Sequence, residues 1–175
     1  MFHFVQLKLL LLGVAISTFT VFAQTMHTDS SIQSIVNTLE QNFFLSSNGR
    51  TIICSSAEFN ESGKVNGVIY TKRNKQDITI KNASTTCTSG IFDLSYLFYS
   101  QSSFNENITH WDVSSVYDMS YMLYDAKSFN QDLSSWCVSN LAAPPVNFSE
   151  GSGLRDEFKP KWGRCPLTAQ IDNEK

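Results

Sequence analysis

His110, Asp112 and Ser114 stand at alternate positions in one stretch, and Ser135 and Ser139 recur 25 residues after His110 and Ser114. A hydroxyl, an imidazole and a carboxylate are the parts of a nucleophilic triad, which works only when the serine touches the histidine and the acid orients the ring. Alternate residues of an extended strand share a face but lie about 6–7 Å apart, too far for those contacts. No catalytic residue is assigned on this ground. Asp93, Asp112, Asp118, Asp125 and Asp132 could offer calcium ligands. Such a site needs about six to eight oxygens converging in one loop, and no D-x-D-x-D-G run is present. Asp93 and Asp118 each precede a helix-like spacing, where an acid favours the helix N-terminus. The four cysteines lack the C-x-x-C spacing of zinc sites. Neither a metal nor a cofactor is expected.

What positions these residues is an internal repeat. Asp93-Leu94-Ser95-Tyr96-Leu97-Phe98-Tyr99 returns 25 residues later as Asp118-Met119-Ser120-Tyr121-Met122-Leu123-Tyr124. Ser103-Phe104-Asn105 returns as Ser128-Phe129-Asn130, and Ile108, Trp111, Val113 and Val116 return as Leu133, Trp136, Val138 and Leu141. A fixed period of this size means stacked units, because one unit cannot bury its own apolar face. Trp111 and Val113 alternate as inward strand residues, leaving His110, Asp112 and Ser114 on an outward row. Met119, Met122 and Leu123 fall at helical spacing. The expected fold class is an α+β repeat solenoid, a short leucine-rich-repeat-like array with a strand, a turn and a short helix per unit. Its core would hold Phe104, Ile108, Trp111, Val113, Met119, Met122, Phe129, Leu133, Trp136 and Val138. Asn105 and Asn130, at equal phase, would either ladder against turn carbonyls or stand as exposed turn formers.

Around the array the chain divides into segments. Residues 1–23 read as a signal peptide: Lys8, an apolar run from Leu9 to Phe22, and Val21-Phe22-Ala23 as the cleavage site. The run, about 14 residues, is short of the roughly 20 that span a bilayer. Residues 24–50 hold a helical segment, with Ile32, Ile35, Val36, Leu39 and Phe43 on one face and a helix expected from about Ser31 to Phe44. Residues 51–91 form a β-rich cap, with strands at Thr51–Cys54 and Asp77–Ile80 and a hairpin turning at Asn66-Gly67. Two repeats occupy 92–141, a C-terminal cap 142–166 and a disordered tail 167–175.

The formal net charge is −3. Nothing in that balance would recruit nucleic acid by releasing counterions. In an exported chain an even cysteine count reads as disulfides. Cys87 and Cys137 both align with Asp112, so Cys54–Cys87 is expected to staple the N-terminal cap and Cys137–Cys165 the C-terminal one.

The unit S-F-N-x-x-[IL]-x-x-W-x-V-S-x-[VL]-x-D-M-S, carried by Ser103–Leu123 and Ser128–Leu141, resembles that of BspA-like leucine-rich-repeat surface proteins. Gly63–Arg73 resembles a lead-in segment of that family and Asn147–Pro166 its closing segment. The resemblance implies an exported or surface protein that adheres to or binds a protein or glycan without catalysis. The expected contact face is the outward row of His110, Asp112, Ser114, Ser135 and Ser139. The alternative is a structural or self-associating matrix component. The chain is expected to be secreted or held at the cell surface, to be monomeric, and to lack a membrane span after signal cleavage.

Overall fold

The computed structural model describes residues 42–166. The expected signal peptide, the tail 167–175 and the expected helix up to residue 41 lie outside the described residues. The last part of that helix is not helical: Phe44–Leu45 is strand β1, paired antiparallel with Ile52–Ile53, β2. Asn48 makes the turn between them, its Oδ1 accepting the N–H groups of Arg50 and Thr51.

Ser62–Val65, β3, pairs antiparallel with Val68–Lys72, β4. Asn66 and Gly67 connect them at φ +49° and +86°, the two positive angles that an Asn-Gly hairpin turn supplies. Thr86–Cys87, β5, adds to β4 in parallel, giving the order β3-β4-β5. Gly63 is required here, because a Cβ at that position would strike the ring of buried Phe43. Lys72 is buried, its Nζ donating to the carbonyls of Ala57 at 2.8 Å and Ser55 at 3.2 Å beneath the Phe59 ring. The strand expected at Asp77–Ile80 is absent; a 3-10 turn at Lys75–Asp77 runs into further turns.

The α+β repeat solenoid is overturned. Among the described residues there is no α-helix; regular structure amounts to these two small sheets and 3-10 turns at Lys75–Asp77, Ala83–Thr85 and Asp156–Phe158. Residues 111–113 form no strand and residues 119–123 no helix. The physical reason lies in where the backbone bonds go. A helix would close them four residues back, but here every second N–H of one copy donates to the next copy: Leu94 to Asp118, Tyr96 to Ser120, Phe98 to Met122 and Ser100 to Tyr124, at 2.8–3.0 Å. Tyr121, Leu123 and Asp125 donate in turn to Val146, Phe148 and Glu150, at 2.8–2.9 Å.

The side chains repeat with the same phase. The indoles of Trp111 and Trp136 are buried and parallel within 3°, their centroids 6.4 Å apart. Phe104 lies on Phe129 at 5.3 Å. Each indole N–H donates to a carbonyl 28 residues earlier, Trp111 to Ala83 and Trp136 to Ile108. Asn105 Oδ1 accepts the N–H of Asn130, and Asn130 Oδ1 that of Arg155; both residues are exposed and serve N–H groups of the next copy, not turn carbonyls. The main core, from Ile78 to Leu154, contains all ten residues expected in it. A second, smaller cluster gathers Phe43, Ile52, Cys54, Ala57, Val65 and Cys87. Cys54 is bonded to Cys87 and Cys137 to Cys165, the pairing expected from the repeat phase.

Candidate binding surface

His110 and Asp112 do not lie outward. They retain only 8% and 9% of their surface exposed. The chain around them turns instead of extending, so strand alternation does not apply, and the residues before Gly90 absorb their polar atoms. His110 Nε2 lies 2.9 Å from the Thr86 carbonyl. Asp112 Oδ2 accepts the Ser89 hydroxyl at 2.7 Å, and its Oδ1 accepts the N–H and hydroxyl of Ser114. Ser114 and Ser139 are exposed, while the Ser135 hydroxyl is buried without a partner. Imidazole and serine hydroxyl thus point to different partners, and the five residues form no common face.

A different surface is built by the repeat, one that the sequence reading passed over. Asp93 and Asp118 each accept the N–H of the serine two residues on, Ser95 and Ser120, at 2.7 Å. Burial pulls the Asp93 carboxyl upward, but hydrogen bonds from Lys75 and Ser95 and the charge of Lys75 outweigh it and hold the pKa below its ordinary value. These tight turns deliver the next residue, Tyr96 or Tyr121, into the left-handed region at φ +59° and +58°. A bulky side chain pays about 1–3 kcal/mol for that backbone conformation. The same turn recurs at Ser100 and Asp125, φ +56° and +54°.

The result is a row of aromatic rings outside the core. Phe92 and Tyr117 are each 64% exposed, Tyr96 57% and Tyr99 42%, with Tyr121 and Tyr124 half-buried beside them. Rings stack in pairs across the copies: Tyr96 on Tyr121 at 4.9 Å, Tyr99 on Tyr124 at 5.2 Å, and Phe92 near Tyr117 at 6.4 Å. Ring pairs of this kind add about 0.5–1.5 kcal/mol beyond the area they bury. Stacking covers one face of each ring, and the exposed rings keep the rest of their surface toward solvent. The charge of Asp125 pushes the Tyr124 phenol upward from its ordinary pKa, so it stays a proton donor. Rigid rings with a polar tip, already ordered, are what protein interfaces use as anchors. Their signal in the sequence was the recurring Tyr-x-x-Tyr, masked by reading the segment as a helix.

A core built from the sequence repeat, two disulfides and an ordered external aromatic row define the class: a disulfide-stapled protein with a repeated sequence unit. Residues 66–164 match the family model described as Mycoplasma protein of unknown function, DUF285, and the chain belongs to that family. No curated protein and no solved structure matches it.

Proposed function

We propose that this chain is a non-catalytic, exported or surface-exposed binding protein whose aromatic row engages another protein. The observation that carries the reading is the row itself. Two tyrosines held in a costly backbone conformation, Tyr96 exposed and its stacked partner Tyr121 half-buried, stand outside the core cluster. Strain kept at an exposed site fits selection for presenting those rings. The two disulfides fit an oxidising compartment outside the cytosol, as does the signal-like run before Gln24. The likeness of the repeat unit to BspA-like surface proteins supports adhesion as the biological setting, by analogy.

The test is binding of the purified exported chain to immobilised extracellular-matrix proteins and to epithelial monolayers. Tyr96→Ser with Tyr117→Ser should weaken binding about tenfold or more, while urea unfolding stays cooperative and loses only what the two ring pairs contribute, about 1–3 kcal/mol. Unchanged binding would remove the row from consideration. Concentration-dependent light scattering that vanishes in the same variant would instead make the row a self-association surface.

A further inference from the structure

Away from the aromatic row, a cleft of about 480 Å³ lies between the β1–β2 loop, the β3–β4 hairpin and residues 107–110. Its wall includes Arg50, Asn66, Tyr70, Asn107, Thr109 and His110. Pockets of this size take small ligands.

His110 sets the chemistry. Its Nε2 faces the Thr86 carbonyl, and a carbonyl can only accept, so Nε2 carries the proton. Burial disfavours the imidazolium, which leaves Nδ1 an unprotonated acceptor. Nδ1 has no hydrogen-bond partner among the described residues and, unlike the Ser135 hydroxyl, is not sealed from solvent, so a ligand donor can reach it. The ring cannot easily turn away: its backbone carbonyl accepts the Ile52 N–H at 2.9 Å, and the Tyr70 ring packs on it at 5.0 Å. A fixed, unused acceptor at a cleft wall asks for a donor from outside.

The other groups narrow the ligand. Arg50 makes only a long 3.8 Å contact to Asp132 and keeps over half its side chain exposed, so its guanidinium fork is available. Asn107 Oδ1 is taken by the N–H and hydroxyl of Thr109, leaving its amide N–H groups as donors. No carboxylate lines the cleft, so an amino acid would find no counter-charge for its ammonium. A phosphate monoester dianion brings no proton for Nδ1, and a phosphate in any form meets a single cation, Arg50, in the cleft wall. Among the described residues no cluster suits a metal ion. We infer that the cleft binds an acidic sugar residue, its carboxylate on the Arg50 guanidinium and one hydroxyl donating to His110 Nδ1. Ring hydroxyls can also accept from Asn107, and Tyr70 supplies an apolar wall.

Glucuronate is the probe, titrated into the chain carrying ¹⁵N-labelled histidine at neutral pH. The expected result is a saturable upfield movement of the His110 Nδ1 resonance. Glucose should bind at least about tenfold more weakly, and Arg50→Gln should weaken glucuronate about tenfold without affecting glucose. Arg50 is exposed, so that variant keeps the fold. No saturable movement, equal affinity for the two sugars, or indifference to Arg50→Gln overturns the inference. Displacement by inorganic phosphate at similar affinity overturns it too, because it would mark a general anion site. Tyr96→Ser should leave the titration unchanged; loss of binding there would place the sugar on the aromatic row instead.

Discussion

Two buried polar residues at adjoining positions meet their partners differently. Asp112 is satisfied by the hydroxyls of Ser89 and Ser114, whereas His110 spends one ring nitrogen and keeps the other. Burial lowers the pKa of His110 below its ordinary 6.5, with the bond to Thr86 opposing. The unfolded chain therefore takes up this proton at higher pH than the folded chain. Stability from the neutral ring is complete above the ordinary value and falls as pH drops through it. The urea midpoint should decline between about pH 7.5 and 5.5, and His110→Gln should flatten that decline; an equal slope in both chains would rule the linkage out. The carboxylates of Glu61, Asp93, Asp132 and Asp156 are held below their ordinary values. They lose their contribution only under more acid conditions, so the two effects separate.

At the scale of elements, the unit of this fold is a link between copies, not a helix or a strand. Trp136 shows it most directly, packing on Trp111 and donating to the Ile108 carbonyl at 3.3 Å. Trp136→Phe keeps an aromatic ring but removes one of the two donors on that carbonyl, the Trp111 backbone N–H remaining at 3.1 Å. The lost bond and the smaller ring together should lower stability by about 1–2 kcal/mol in urea unfolding, a larger loss than at exposed Tyr117. A loss below about 0.5 kcal/mol would mean that packing alone holds the layers. The 25-residue phase and the inward indoles were legible because composition and offset alone define them. The backbone was not. Met119, Met122 and Leu123 fit one helical face, yet the same spacing is met by successive turns whose N–H groups bond across to the next copy. Apolar period reports which side chains go in and says little about where the amides go.

For the whole molecule, two cores and two staples set the order of events. Cys54 and Cys87 are fully buried in the smaller cluster, while Cys165 is exposed at the opposite staple. Thiolate attack needs access, so limited dithiothreitol should open Cys137–Cys165 first, as alkylation and mass mapping would show. Faster labelling of Cys54 would contradict the burial. The two closures, of 33 and 28 residues, are each worth about 3–4 kcal/mol in chain entropy, so access and not loop length separates the links. The candidate surface was the least legible part at this scale. His110 and Asp112 looked outward only if the segment were a strand, and the tyrosines looked helical. The tyrosine reading failed because Asp93 and Asp118 turn the chain into a left-handed step that no period reveals, and the other because residues 110–114 form no strand and bond to Thr86 and Ser89.

The bonds between copies also have a sense. On the tyrosine side the earlier copy donates to the later from Leu94 to Ser100, whereas Tyr117 donates back to Phe92 and the indoles donate backward too, as from Trp136 to Ile108. Sliding one layer by a single residue would turn amides away from their acceptors on one flank and strand both indoles on the other. With no adjacent register to settle into, the stack cannot creep under load; it holds as a brittle solid does, until a whole layer parts at once.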